Sequence, residues 1–180
     1  DEAHVLTQWG HDFRVDYRLV AKEIFPKLPL KCSYLFTTAT ASKKVIEDLE
    51  YFLNLNKIII GDLFRKSLSL NNLGRLSQSQ AISWITDNIN KLDGAGIIYT
   101  STKSRADSFA YYLKQEGINV VAYHSYKKDR SEIEKAFLNN EYKVVVATSA
   151  LSMGFDKPDI NFMIHLGMPK DLTEYYQQIG

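Results

Sequence analysis

Residues 96–124 read GIIYTSTKSRADSFAYYLKQEGINVVAYH, and the spacing of their apolar residues decides the fold. The run 96–100 is short, apolar and not alternating, the pattern of a strand buried on both faces. The spacing then changes: Ala106, Phe109, Ala110 and Leu113 fall on one face of a helix. Gly117 stands where a helix end accepts a left-handed residue, and 120–123 is a second apolar run. Strand, helix and strand in this order imply parallel pairing, with the helix covering one face of the sheet.

The alternation continues in both directions. Ala81, Ile82, Ile85, Ile89 and Leu92 form a helical stripe upstream. Downstream, Asp129 and Glu132 predict a capping box ahead of Ile133, Ala136 and Phe137, and 144–147 and 162–166 are further strand-like runs. The expected fold is therefore α/β, a parallel sheet with helices on both faces. Toward the start, Phe13, Tyr17, Val20 and Ile24 predict a helix over 12–25, ended by Pro26 and Pro29. Runs 33–38 and 57–60 predict short strands. Between them Ser42 caps an expected helix carrying Val45, Ile46, Leu49, Phe52 and Leu53 on one face. Residues 65–80 turn to Ser, Asn, Gln and Leu without a period, which places a linker at 62–76 between units 1–61 and 77–180.

Composition limits the function. With 180 residues, 45% hydrophobic and 24% charged, the chain has enough apolar content for a core and is not a disordered segment. No apolar run reaches the ~18 residues of a membrane span, and the first residues lack the pattern of a signal peptide, so the expected location is cytoplasmic, nucleoid-associated in a prokaryote, and not secreted. Cys32 is the sole cysteine, which permits neither an internal disulfide nor a Cys-based zinc site. Twenty-two basic residues against 21 acidic ones leave a net charge of +1. Any grip on nucleic acid must then be local.

In open parallel sheets, ligands bind beyond the carboxyl ends of the strands. Those ends carry Thr37-Thr38-Ala39-Thr40, Thr100-Ser101-Thr102, His124-Ser125, Thr148-Ser149 and Gly167-Met168, a rim of hydroxyls and imidazole suited to phosphates. Asp1, Glu2 and His4 add two carboxylates and an imidazole. One carboxylate, Asp1, can hold Mg²⁺ through water while Glu2 orients or deprotonates an attacking water; the plain alternative is solvated acidic residues. His4 and His11 fit no zinc spacing. Gln8-Trp9-Gly10-His11-Asp12-Phe13-Arg14 can stack bases on Trp9 and Phe13 and reach a phosphate with Arg14, or staple a helix to the core. Residues 148–158, TSALSMGFDKP, can contact a phosphate chain or serve as a connection. Lys127, Lys128 and Arg130 read as a solvated helix start.

Taken in order, these segments resemble the RecQ family of superfamily-two DNA helicases. Asp1-Glu2-Ala3-His4 is similar to the Walker B-type helicase box, Gln8 to Arg14 to the aromatic-rich loop of RecQ enzymes, and Thr38-Ala39-Thr40-Ala41 to the coupling motif of the first motor lobe. Residues 96–99, Ala122-Tyr123-His124, 144–159 and 175–180 resemble the fourth motif, the "AYH" element, the fifth motif and the start of the sixth. The resemblance implies two RecA-like lobes that bind ATP and Mg²⁺ and move 3′ to 5′ along single-stranded DNA while separating the duplex. It implies that Asp1 binds Mg²⁺ through water, Glu2 acts as base and His4 couples the site to DNA. Gln8, Trp9, His11, Phe13 and Arg14 would hold single-stranded DNA, and Thr38 and Thr40 would link hydrolysis to lobe movement. Thr148 and Ser149 would face the DNA backbone, with Gly154, Asp156 and Gln177 at the nucleotide interface.

The sequence departs from the pattern in two respects that bear on activity. No Gly-x-x-x-x-Gly-Lys-Ser/Thr occurs, and the sixth motif stops before the arginines expected of it. The expectation is a fragment, the end of lobe one with most of lobe two, that hydrolyses no ATP by itself. The alternatives are a non-catalytic RecA-like nucleic-acid-binding module and a superfamily-two RNA helicase.

Overall fold

The structure, a computed structural model, describes residues 1–4, 19, 23–24, 27–29, 33–53, 55–61, 66–151 and 155–180, without the side chain of Phe52. The helix expected over 12–25, Cys32 and the aromatic loop lie largely or wholly outside the described residues. The chain divides into two compact units, Asp1–Ser69 and Leu70–Gly180.

In the first unit, helix α1 spans Lys43–Leu53. Ser42 starts it as expected: its hydroxyl accepts from the Val45 amide at 3.3 Å and its carbonyl from the Ile46 amide at 3.0 Å. Val45 and Leu49, one turn apart, bury themselves against Ala3, with Phe36, Ala41, Leu53 and Leu55 around them. The strands expected at 33–38 and 57–60 are not formed. Both runs lack a ladder partner among the described residues, and most of their apolar side chains stay in solvent, Leu35 at 85% exposure and Ile59 at 82%, whereas Phe36 packs beside α1.

The second unit opens with α2, Gln78–Ile89, capped by a full box. The Ser77 hydroxyl accepts from the Gln80 amide, and the Gln80 side chain accepts from the Ser77 amide. The box expected at Asp129 is absent: that residue, at φ −95° and ψ 25°, makes no side-chain capping bond. Its backbone is already close to helical rather than extended, so the carboxylate cannot swing back over the first turn.

The sheet contains β1 (Ala95–Tyr99), β2 (Val120–Tyr123), β3 (Val144–Ala147) and β4 (Ile160–His165), all parallel, in the order β2-β3-β1-β4. Helix α3, Lys103–Gln115, connects β1 to β2, and α4, Arg130–Leu138, connects β2 to β3. The first crossover runs outward along the sheet and the second returns, so right-handed connections put the two helices on opposite faces. Side chains divide accordingly with period two. Ile98, Ala122, Val144 and Val146 pack under α2 and α3, while Ile97, Tyr123, Val145 and Ala147 pack under Ile133 and Phe137 of α4. A three-residue 3₁₀ turn, Ser149–Leu151, follows β3, and α5, Leu172–Ile179, follows β4.

Two glycines set up β1. Gly94, at φ +66°, turns the chain into the strand where only glycine is unstrained. Gly96 lies under the Phe162 ring so closely that a Cβ would sit 2.0 Å from it.

Candidate functional site

In the first unit the acidic turn is docked onto the threonine segment. Ala3 buries its methyl against α1, and its amide donates to the Thr37 carbonyl at 3.0 Å. Asp1 Oδ1 then accepts from the Glu2 amide at 2.9 Å and the Thr37 hydroxyl at 2.8 Å. Glu2 has a left-handed backbone, φ 54°. His4 is 2% exposed, with Nδ1 at 2.7 Å from Thr38 Oγ1 and 3.3 Å from Thr40 Oγ1. The Thr38 hydroxyl also lies 3.2 Å from the Thr40 carbonyl and accepts from the Thr40 amide at 3.2 Å, so the His4 ring is held against a closed threonine turn. Glu2 Oε2 lies 3.2 Å from His4 Nδ1 and is buried with no hydrogen-bond partner among the described residues. The structure thus joins Asp1, Glu2, His4, Thr38 and Thr40 into one polar network.

Burial pushes the His4 imidazole below its ordinary value of 6.5, and the Glu2 carboxylate opposes the shift in part. The unfolded chain then takes up the proton first as pH falls. The first unit should hold its full stability above pH 6.5 and lose it progressively as pH drops through the lower folded value. His165 in the second unit is shifted down by burial as well, so thermal melts at pH 7.5 and 5 should be compared between wild type and His4→Gln. The variant should lose part of the pH dependence. Identical dependence in both would contradict the assignment.

In the second unit the strand ends form a rim with a cleft of about 360 Å³ lined by Tyr99, Thr100, Ser101, Ser149, His165, Lys170 and neighbouring residues. Several rim hydroxyls are already committed to the fold. Thr102 caps α3 by accepting from the Arg105 amide, and Thr100 donates to the Thr102 carbonyl at 3.2 Å. Ser149 is exposed at the cleft, and Thr148 is half-buried with its amide on the Tyr123 carbonyl. Asp156 is exposed and Gln177 half-buried. Gln8, Trp9, His11, Phe13, Arg14 and Gly154 lie outside the described residues.

Further side chains complete this rim. His165 stacks on Tyr99 at 5.4 Å and meets Tyr175 at 5.1 Å, and its Nε2 is 2.8 Å from Gln178 Oε1. An amide oxygen only accepts, so Nε2 carries the proton; Gln178 in turn donates to Glu174 at 3.1 Å. His124, buried at the end of β2, meets Asp107 at 3.0 Å, and Lys127 meets the same carboxylate at 3.1 Å. Lys127 is therefore paired rather than merely solvated. Asp107 is held below the usual carboxylate range: partial burial opposes the shift, and hydrogen bonds from Lys127 and His124 outweigh it.

Residues 80–180 match the family model described as the helicase conserved C-terminal domain. The chain belongs to the helicase C-terminal domain family. Along its whole length this helicase segment is similar to RecQ-type proteins: 37% identical over 184 residues to the ATP-dependent DNA helicase RecQ of Bacillus subtilis, and 35% over 192 residues to the ATP-dependent DNA helicase Q1 of Rattus norvegicus. The matches cover 100% of this chain, which spans 31% and 30% of those two proteins. Among solved structures, Saccharomyces cerevisiae Dbp5 bound to RNA and ADP BeF3 aligns over 87% of this chain and 43% of its own with a TM-score of 0.72 at 18% identity. Mycobacterium smegmatis helicase Lhr aligns over 61% of this chain and 16% of its own with a TM-score of 0.52 at 22% identity. At these identities the structural likeness speaks for the fold, a RecA-like helicase lobe.

Proposed function

We propose that the chain is motor machinery of a RecQ-like, ATP-dependent 3′-to-5′ DNA helicase. In this reading 1–61 ends the first lobe, 62–76 links the lobes and 77–180 forms the second. The observation that carries the reading is the network of Asp1, Glu2, His4, Thr38 and Thr40, in which the acidic turn and the threonine segment meet within hydrogen-bond distance although 34 positions separate His4 from Thr38. The names of the relatives, ATP-dependent DNA helicases, support DNA and ATP as partners.

The residues present fit a magnesium nucleotide. Mg²⁺ keeps most of its waters and needs one or two carboxylates beside substrate phosphates. Asp1, with Oδ1 fixed by Thr37 and the Glu2 amide, would hold it through water. The ion supplies neutralisation of phosphate charge when bound. Glu2 is the base: its Oε2, 3.2 Å from His4 Nδ1 and without a hydrogen bond among the described residues, can accept a proton from the attacking water. His4, whose Nδ1 lies within 3.3 Å of Glu2, Thr38 and Thr40, ties that carboxylate's surroundings to the two threonines, which pass the change to the lobe. Gln8, Trp9, His11, Phe13 and Arg14 hold single-stranded DNA, Thr148 and Ser149 face its backbone, and Gly154, Asp156 and Gln177 serve the nucleotide.

The test is ATP hydrolysis by the intact protein with single-stranded DNA or RNA of equal length. DNA should raise kcat about tenfold or more, and RNA should not. Stimulation by RNA alone would favour an RNA helicase, and none by either a binding module.

A further inference from the structure

The loop after β3 contains a lysine that the proposed chemistry does not use. The Lys157 side chain is 1% exposed, and its ammonium sits 2.7 Å from Asn140 Oδ1, 2.5 Å from Asp159 Oδ1 and 5.4 Å from the centre of the Phe137 ring. Asn140 follows the end of α4 with a left-handed backbone, φ 61°, and Phe155 stacks on Phe137 at 5.7 Å. Side chains alternate along the segment: Phe155 is half-buried, Asp156 exposed, Lys157 buried and Pro158 exposed. Asp156 is thus held outward between two inward anchors on α4. The Lys157 hydrogen bond is the main cause that holds the Asp159 carboxyl below the usual range.

Stability alone does not account for a cation here. Burying an ammonium costs desolvation that its partners only offset, and replacing a whole buried pair by packed apolar residues of similar volume is often neutral or stabilising. Here the partner carboxylate, Asp159, keeps 43% of its side chain in solvent and does not need the lysine to stay hydrated. What the charge adds is direction, because two hydrogen bonds fix one position of the loop where an apolar stem could slide.

We infer that Lys157 is a positioning residue: its clasp on Asn140 and Asp159 fixes the loop after β3 so that Asp156 is presented at one defined place. The consequence for catalysis rests on the helicase reading of Asp156, whereas the clasp itself does not. Two measurements on Lys157→Met separate them. In this chain the variant should melt within about 3 °C of wild type, while amide exchange across 155–160 quickens about tenfold. In the intact protein it should lower kcat for DNA-stimulated hydrolysis about tenfold, change the KM for ATP less than about threefold, and keep wild-type kcat as Lys157→Arg.

Unchanged exchange would overturn the clasp, and faster exchange with unchanged kcat would overturn its role in catalysis. If Lys157→Met melts much earlier, Asn140→Gly, which removes one acceptor and keeps the left-handed backbone, is judged by the same readouts. Wild-type protein without DNA-stimulated hydrolysis would sink the helicase reading instead, and the exchange result would then decide the clasp.

Discussion

Replacing Gly96 with alanine should destabilise the second unit by about 3 kcal/mol or more, the upper end of what forcing atoms into a packed core costs. The added Cβ would fall 2.0, 2.3 and 2.4 Å from three carbons of the Phe162 ring. That ring is half-buried and packed against the cluster containing Ile98 and Val144, so moving it aside gives up those contacts. Gly96 also lies in a strand paired on both sides, to Val144 of β3 and Phe162 of β4, so the backbone has little room to shift. The loss is large against the roughly 5–15 kcal/mol of a whole domain. Chemical denaturation should show it, and a cycle with Phe162→Leu should reveal a coupling of about 1 kcal/mol or more, since the smaller side chain relieves the clash. Strictly additive effects would mean that the ring is not the obstacle.

Glu2→Gln in the intact protein should lower DNA-stimulated kcat by about 10²–10⁴, the range for removing a positioned general base. The amide keeps the shape of the carboxylate and leaves the Asp1 to Thr37 bond and the Ala3 docking untouched. ATP affinity should therefore change little, and the loss should appear in kcat. A variant with normal kcat would remove Glu2 from the chemistry; one with a raised KM and intact kcat would make it a binding residue.

The second unit was legible because β1, β2 and β3 are buried on both faces, although the edge strand β4 is only half-buried. Runs such as 120–123 and 144–147 are apolar without interruption, and these are the observed bounds of β2 and β3. The start of α2 was hidden for a local reason: Ser77, Gln78, Ser79 and Gln80 have loop composition, and only the reciprocal bonds of Ser77 and Gln80 make them a cap. In the first unit, 33–38 and 57–60 have strand composition, but a strand also needs a partner, which local pattern does not reveal. The motif residues Asp1, Glu2, His4, Thr38 and Thr40 were named from residue type and motif order, and the structure brings them together. His165, Gln178 and Lys157 were not, because a polar residue inside an apolar run or a loop carries no local sign that a distant partner will bury it. His165 stood within a strand-like run and read as a strand residue. Only the packing of α5 onto β4 shows it as the junction between Tyr99, Tyr175 and Gln178.

The most direct test of the helicase reading is strand separation by the intact protein on duplex DNA carrying a single-stranded tail at either the 3′ or the 5′ end. ATP-dependent unwinding of the 3′-tailed substrate, with the 5′-tailed duplex left intact, is the predicted result. Unwinding only from a 5′ tail, or no separation of either substrate despite binding to both, would contradict it.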